Sequence, residues 1–166
     1  MRSAVVVLLL SVAAVGQQGS DAVAACGSQN TRFEMKRDDS QHALVPPDPG
    51  KVRVYFIQDI GAVKCLAGCS SKFGIDGQWV GANEHNSYFS VSVDPGEHHV
   101  CVKLGSQSVP HSLALAHFTA EPGKVYFYRV RPFLAKDELL TMDPVDEDEG
   151  KYLVSIYPLC VSHAKP

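Results

Sequence analysis

The sequence predicts an all-β fold, an antiparallel β-sandwich with one short helix near the C-terminus. Apolar residues alternate with polar ones at period two in several short runs, and Asp-Gly and Pro-Gly pairs punctuate those runs. No helical pattern of about 10–15 residues falls between them, which argues against a βαβ nucleotide-binding fold.

The first run is Val52, Val54 and Phe56, alternating with Arg53 and Tyr55. Ile75-Asp76-Gly77-Gln78-Trp79-Val80-Gly81 reads as two short strands folded at Asp-Gly, a strong hairpin signal. Phe89, Val91 and Val93 then share one face, and Tyr88, Ser90 and Ser92 the other. Asp94-Pro95-Gly96 follows as a turn, with proline presetting the first central position and glycine free to take positive φ at the second. Val100, Val102 and Leu104 continue on the return strand. Leu113–Leu115, the Glu121-Pro122-Gly123 turn, the run from Val125 to Val130, and a last short strand at Leu139–Met142 complete the set. A helix of one or two turns is expected next, with Asp143 as cap and Pro144 at the first helical position. Asp146, Glu147, Asp148 and Glu149 then meet the positive end of its dipole, and Gly150 weakens it. The acidic run lacks the alternating spacing of a calcium loop and reads as a solvated helix start.

Composition narrows the class. The chain has 166 residues, 45% hydrophobic and 20% charged, which is ordinary for a globular domain. Fifteen Lys and Arg stand against 18 acids, so no basic surplus favours nucleic acid. Residues 4–15, AVVVLLLSVAAV, follow Met1-Arg2-Ser3 and fit a secretory signal peptide. The run is shorter than the ~20 apolar residues that span a bilayer. Ala14 and Gly16 are small residues suited to cleavage before Gln17. Cleavage leaves 14 basic against 18 acidic residues, a net charge of -4. Three segments follow: a signal peptide at 1–16, a polar leader and linker at 17–50 with a short strand around Thr31–Met35, and a sandwich domain at 51–166. The linker closes at Pro46-Pro47-Asp48-Pro49-Gly50, a stiff sequence that refuses helix.

Val23-Ala24-Ala25-Cys26 resembles a bacterial lipobox, which would anchor the protein to a membrane through Cys26. The polar stretch Gln17–Asp21 separates it from the apolar core, whereas such a box normally adjoins that core. Free export to the periplasm or cell envelope is the favoured destination.

The motifs together resemble a bacterial envelope family. Gly74-Ile75-Asp76-Gly77-Gln78-Trp79-Val80-Gly81, Asn86-Ser87-Tyr88-Phe89, Asp94-Pro95-Gly96-Glu97-His98-His99-Val100, Ala120-Glu121-Pro122-Gly123-Lys124-Val125-Tyr126 and Asp146-Glu147-Asp148-Glu149-Gly150 carry the likeness. The family is catalogued as domain of unknown function 2846 and is similar to the PEGA-type small β-domains. The resemblance spans Lys51 to Leu153. It implies an exported prealbumin/PEGA-like sandwich, often on lipoproteins, with no established reaction and no catalytic residue to carry over.

Five cysteines remain to be placed. Cys65 and Cys69 have three residues between them and no thioredoxin-like setting, so neither redox nor zinc spacing is met. Cys101 lies on the strand face opposite Val100 and Val102, within reach of a covering loop. A structural disulfide from Cys101 to Cys65 or Cys69 is expected, and Cys26 and Cys160 can form a second pair.

The histidines are His42, His85, His98, His99, His111, His117 and His163. His98 and His99 point to opposite faces, whereas His99 shares a face with Cys101; with His85 or His117 nearby, a zinc or copper site is conceivable. No established ligand spacing supports it, and hydrogen-bonded or exposed histidines are the plainer expectation. No Gly-x-Ser-x-Gly elbow and no phosphate loop is present. Tyr55, Trp79, Tyr88, Tyr126 and Tyr128 are expected to pack in and across the sheets, Tyr88 being the one that shares its face with serines.

The expectation is an exported, non-enzymatic envelope module that binds an envelope protein or glycan or serves a structural role. No residue is assigned to catalysis, to a cofactor or to a metal. The alternative is a metal-binding or thiol-redox envelope protein built on His99, Cys101 and the Cys65/Cys69 loop.

Overall fold

A computed structural model describes residues 25–27, 31–42, 44–61, 70–105, 113–132 and 140–165. The signal peptide expected over 1–16, together with Cys65, Cys69 and His111, lies outside the described residues. In chain order the elements are β1 (Phe33–Asp38), β2 (Val52–Gln58), β3 (Ser70–Ile75), β4 (Gln78–Glu84), β5 (Ser87–Val93), β6 (Gly96–Leu104), β7 (Leu113–Ala120), β8 (Val125–Pro132), β9 (Leu140–Val145), α1 (Glu147–Ile156) and β10 (Leu159–Ala164). The strands form a six-stranded sheet, β1-β10-β5-β2-β8-β9, facing a four-stranded sheet, β4-β3-β6-β7. The protein is an all-β sandwich with a short C-terminal helix.

The Asp-Gly hairpin joins β3 and β4 within one sheet. Asp76 and Gly77 take φ of 48° and 82°, the two left-handed positions that a type I′ turn requires. Asp94-Pro95 behaves differently from its sequence reading. It carries the chain from β5 in the larger sheet to β6 in the smaller one, so β6 is no return strand of the same hairpin. Glu121–Lys124 crosses back in the same way from β7 to β8. Because of these crossings, β2 pairs with β8 in parallel and β10 begins parallel to β5.

The core between the sheets takes Val52, Val54 and Phe56 from β2, Phe73 from β3, Phe89 from β5, Val100 and Val102 from β6, and Tyr128 and Val130 from β8. Phe56 lies 4.9 Å from Phe73 and 5.4 Å from Phe89 between ring centroids, within the range where tilted aromatic pairs add to burial. Period two set that face correctly. The opposite face of β2 is covered as well: Tyr55 and Ile57 join Tyr88, Phe127, Leu153 and Val154 in a second core beneath α1. Tyr88 is therefore a packing residue, with Tyr55 at 6.0 Å.

The C-terminal region corrects the sequence reading. Asp143 and Pro144 belong to β9, where a proline is tolerated because β9 is an edge strand. The cap is Asp146, whose Oδ1 accepts from the Glu149 amide at 2.8 Å, and the helix runs ten residues instead of one or two turns. Gly150 does not shorten it. A β-carbon there would lie 2.2 Å from Phe127 Cγ, so glycine lets the helix backbone rest on that ring. The leader also does more than link. β1 pairs antiparallel with β10 at the edge of the larger sheet, and Arg53 holds the proline-rich segment through Pro46 O and Asp48.

Candidate functional site

The tight turns Asp76-Gly77, Asp94-Pro95 and Glu121–Lys124 gather at one end of the sandwich. The C-terminal ends of β2, β6 and β8 lie at the other. At that other end the described residues enclose a cleft of about 480 Å³, lined by Arg37, Ile60, Gly61, His85, Asn86, Ile156, Tyr157 and Pro158. Five segments meet there: β1, the end of β2, the β4–β5 turn, the end of α1 and the start of β10.

Local chemistry holds this convergence. His85 turns the chain from one sheet to the other at φ 54°, a left-handed conformation that histidine tolerates better than most residues. Asn86 beside it accepts from the Ile60 amide at 2.8 Å and donates to Gly61 O at 3.3 Å. The wall behind is a charged network. Asp59, only 8% exposed, accepts from Arg129 Nε at 2.8 Å, Arg129 Nη2 at 2.5 Å, the Tyr157 hydroxyl at 2.6 Å and the Gly61 amide at 3.2 Å. Arg129 Nη1 continues to Glu149 at 2.5 Å.

Burial opposes ionisation of Asp59, but the hydrogen bonds from Tyr157 and Arg129, with the guanidinium charge, outweigh it and hold the carboxyl below its ordinary value. Burial and the Asp59 carboxylate push the Tyr157 hydroxyl up. Burial works against the Arg129 charge, yet Asp59 and Glu149 raise its pKa overall. A carboxylate with both oxygens engaged is no general base, and a phenol raised this way is no ready nucleophile. The network positions the cleft. The groups left to meet a ligand are Arg37, whose Nη2 pairs with exposed Asp39 at 2.9 Å, and His85, set against Ile60, Ile156 and Pro158. This arrangement suits retention of a polar or anionic group against an apolar wall.

The cysteines resolve differently from the expected pairings. Cys101 is joined to Cys26, 75 residues away, with a Cα–Cα distance of 5.6 Å. A covering segment does reach the outer side of β6, as the strand pattern required, but it is residues 25–27 and not the Cys65/Cys69 loop. Cys101 is fully buried beneath it. Gly74 allows the approach, since a β-carbon there would lie 2.8 Å from Ala25 O. Lys72 donates to Thr31 O, ahead of β1, at 2.9 Å and lies 4.6 Å over the Trp79 ring. Cys160 does not pair with Cys26: it is a free, buried thiol on β10 in the other sheet, pushed up by burial. A Cys26 sulfur bonded to Cys101 cannot also carry a lipid thioether.

The described histidines fall into distinct settings. Both ring nitrogens of His42 are engaged, with Tyr157 O and Asp39 O. Those of His98 bond Asp76 at 2.6 Å and Asp94 O at 2.7 Å. Burial disfavours the His98 cation, but these partners raise its pKa; burial likewise opposes ionisation of Asp76, and the hydrogen bond from the His99 amide, followed by that from His98, holds its carboxyl low. His99 and His117 face each other across β6 and β7, whereas His85 stands at the distant cleft, and His163 pairs in register with Glu34. The expected ligand set of His99 with Cys101 is not available, because that sulfur is in the disulfide. No cluster of three or more His, Cys, Asp or Glu suited to a metal occurs among the described residues.

The sequence reading missed Asp59, Arg129, Tyr157 and Arg37. They lie in four separate segments with no spacing relation, so only tertiary contact marks them. No helix among the described residues is long and apolar enough to cross a membrane. In comparisons with known proteins, no family model, no curated protein and no solved structure matches the chain.

Proposed function

We propose that the chain is an exported, non-enzymatic envelope module of the domain-of-unknown-function 2846 type, binding an envelope protein or glycan at the cleft beside Tyr157. The observation that carries the reading is the Cys26–Cys101 disulfide, because such a bond persists in an oxidising compartment and is lost in a reducing one. The committed Asp59–Arg129–Tyr157 network supports binding over bond-making, since its polar atoms are spent on one another.

The test joins address and binding. Expressed with residues 1–16 in a bacterial host, the protein is expected outside the cytoplasm, starting at Gln17, with Cys26 and Cys101 cross-linked and no lipid mass. A photoreactive residue at Ile156 in the cleft is expected to capture a partner that the same probe at exposed Tyr152 does not, and Arg37→Glu is expected to abolish capture. A cytoplasmic protein with reduced thiols would overturn the address. Equal capture from both positions would overturn the cleft.

A further inference from the structure

We propose that His99 and His117 form a two-imidazole site for a late first-row divalent ion, copper(II) foremost, on the outer face of the four-stranded sheet. The two residues are direct cross-strand partners in the β6–β7 ladder. Their rings stand 6.2 Å apart between centroids at 32°. Directly opposed residues on one face are held at a Cβ separation of about 4.5–5.5 Å by the backbone ladder, so their pairing is set before any ion arrives. Metal–nitrogen bonds of about 2.0–2.1 Å on each side let one ion bridge rings at this spacing.

What separates this pair from His42 and His98 is availability, and what separates it from His85 and His163 is that its two imidazoles face each other across the ladder. The ring nitrogens of His42 and His98 are all engaged by carbonyl or carboxylate partners. Neither the His99 nor the His117 ring has a hydrogen-bond partner among the described residues; the Asp76 bond at His99 goes to its backbone amide. Both side chains are exposed. β7 is an edge strand, so approach from solvent is open.

Ligand chemistry fixes the class of ion. Two neutral imidazoles without a carboxylate favour copper, nickel and zinc over magnesium and calcium, and the general affinity order places copper(II) first. No third His, Cys, Asp or Glu joins the pair among the described residues, so the remaining coordination positions go to water or to an outside ligand. The site is thus an open, exchangeable one.

The experiment titrates copper(II) into the disulfide-bonded chain, followed by calorimetry and electron paramagnetic resonance. One ion per chain with two imidazole nitrogens in the spectrum is expected. Loss of a mere outer-shell partner typically costs about 10–100-fold in metal affinity, so His99→Ala and His117→Ala are each expected to weaken binding at least tenfold. His163→Ala should leave it unchanged, and magnesium should not compete. His117→Gln repeats the test with a polar side chain kept on the exposed strand. Binding that survives both alanine variants, or a spectrum with fewer than two imidazole nitrogens, overturns the proposal.

Discussion

Removing the Cys26–Cys101 bridge, as Cys26→Ala/Cys101→Ala, frees the strap of residues 25–27 from the outer face of β3 and β6. With the cysteines 75 positions apart in sequence, the chain-entropy relation gives about 4.5 kcal/mol of stabilisation through the unfolded state. Loss of native disulfides in small secreted domains typically costs ~2–5 kcal/mol, so the estimate sits near the top of the usual range. For a chain of this size each kcal/mol moves the melting temperature by roughly 2–4 °C, which predicts a fall of about 10 °C or more. The assay is thermal denaturation of wild type and double variant, each with and without reductant. Reductant should bring wild type down to the variant and leave the variant nearly unmoved. The reasoning is refuted if the variant melts with oxidised wild type, or if peptide mapping joins Cys101 to Cys65 or Cys69.

Three more perturbations probe the packing and the charges. Gly150→Ala should destabilise by ~1–3 kcal/mol in chemical denaturation, because overpacking against Phe127 outweighs the ~1 kcal/mol of helix propensity that alanine adds; a stabilised variant would mean that the helix can lift off the ring. Asp59→Ala removes charge-assisted bonds to Arg129 and Tyr157 and should cost about 2–3 kcal/mol by urea denaturation, a cost below ~0.5 kcal/mol showing that water replaces them freely. The His98–Asp76 pair should make stability depend on pH in two directions. The raised His98 pKa contributes stability fully present below about pH 6.5 and lost as pH rises through the folded value. The lowered Asp76 pKa contributes stability present above about pH 4 and lost as pH falls through its folded value. The gap in melting temperature between wild type and His98→Gln should therefore be widest between these limits and shrink toward alkaline pH; a gap that grows there would refute the assignment.

From its residues alone the chain declared a β-sandwich, the Asp76-Gly77 hairpin, the core face of β2, β5 and β6, and a covering segment over Cys101. These are local matters. Alternation at period two and the φ demands of Asp-Gly act within a few residues, so they can be read without knowing the rest of the fold. Which segment covers Cys101 was not local: the Cys65/Cys69 loop was the expected cover, with Cys26 paired to Cys160, and only the fold, by laying Ala25 and Cys26 against Gly74, set Cys26 on Cys101. The same holds for Asp94-Pro95, whose turn chemistry was legible while the sheet it led to was not. The cleft was hidden most completely. Asp59, Arg129 and Tyr157 attract one another through short-range forces that leave no period in sequence, so their meeting appears only when two neighbouring strands of the larger sheet and the helix have closed on the same point.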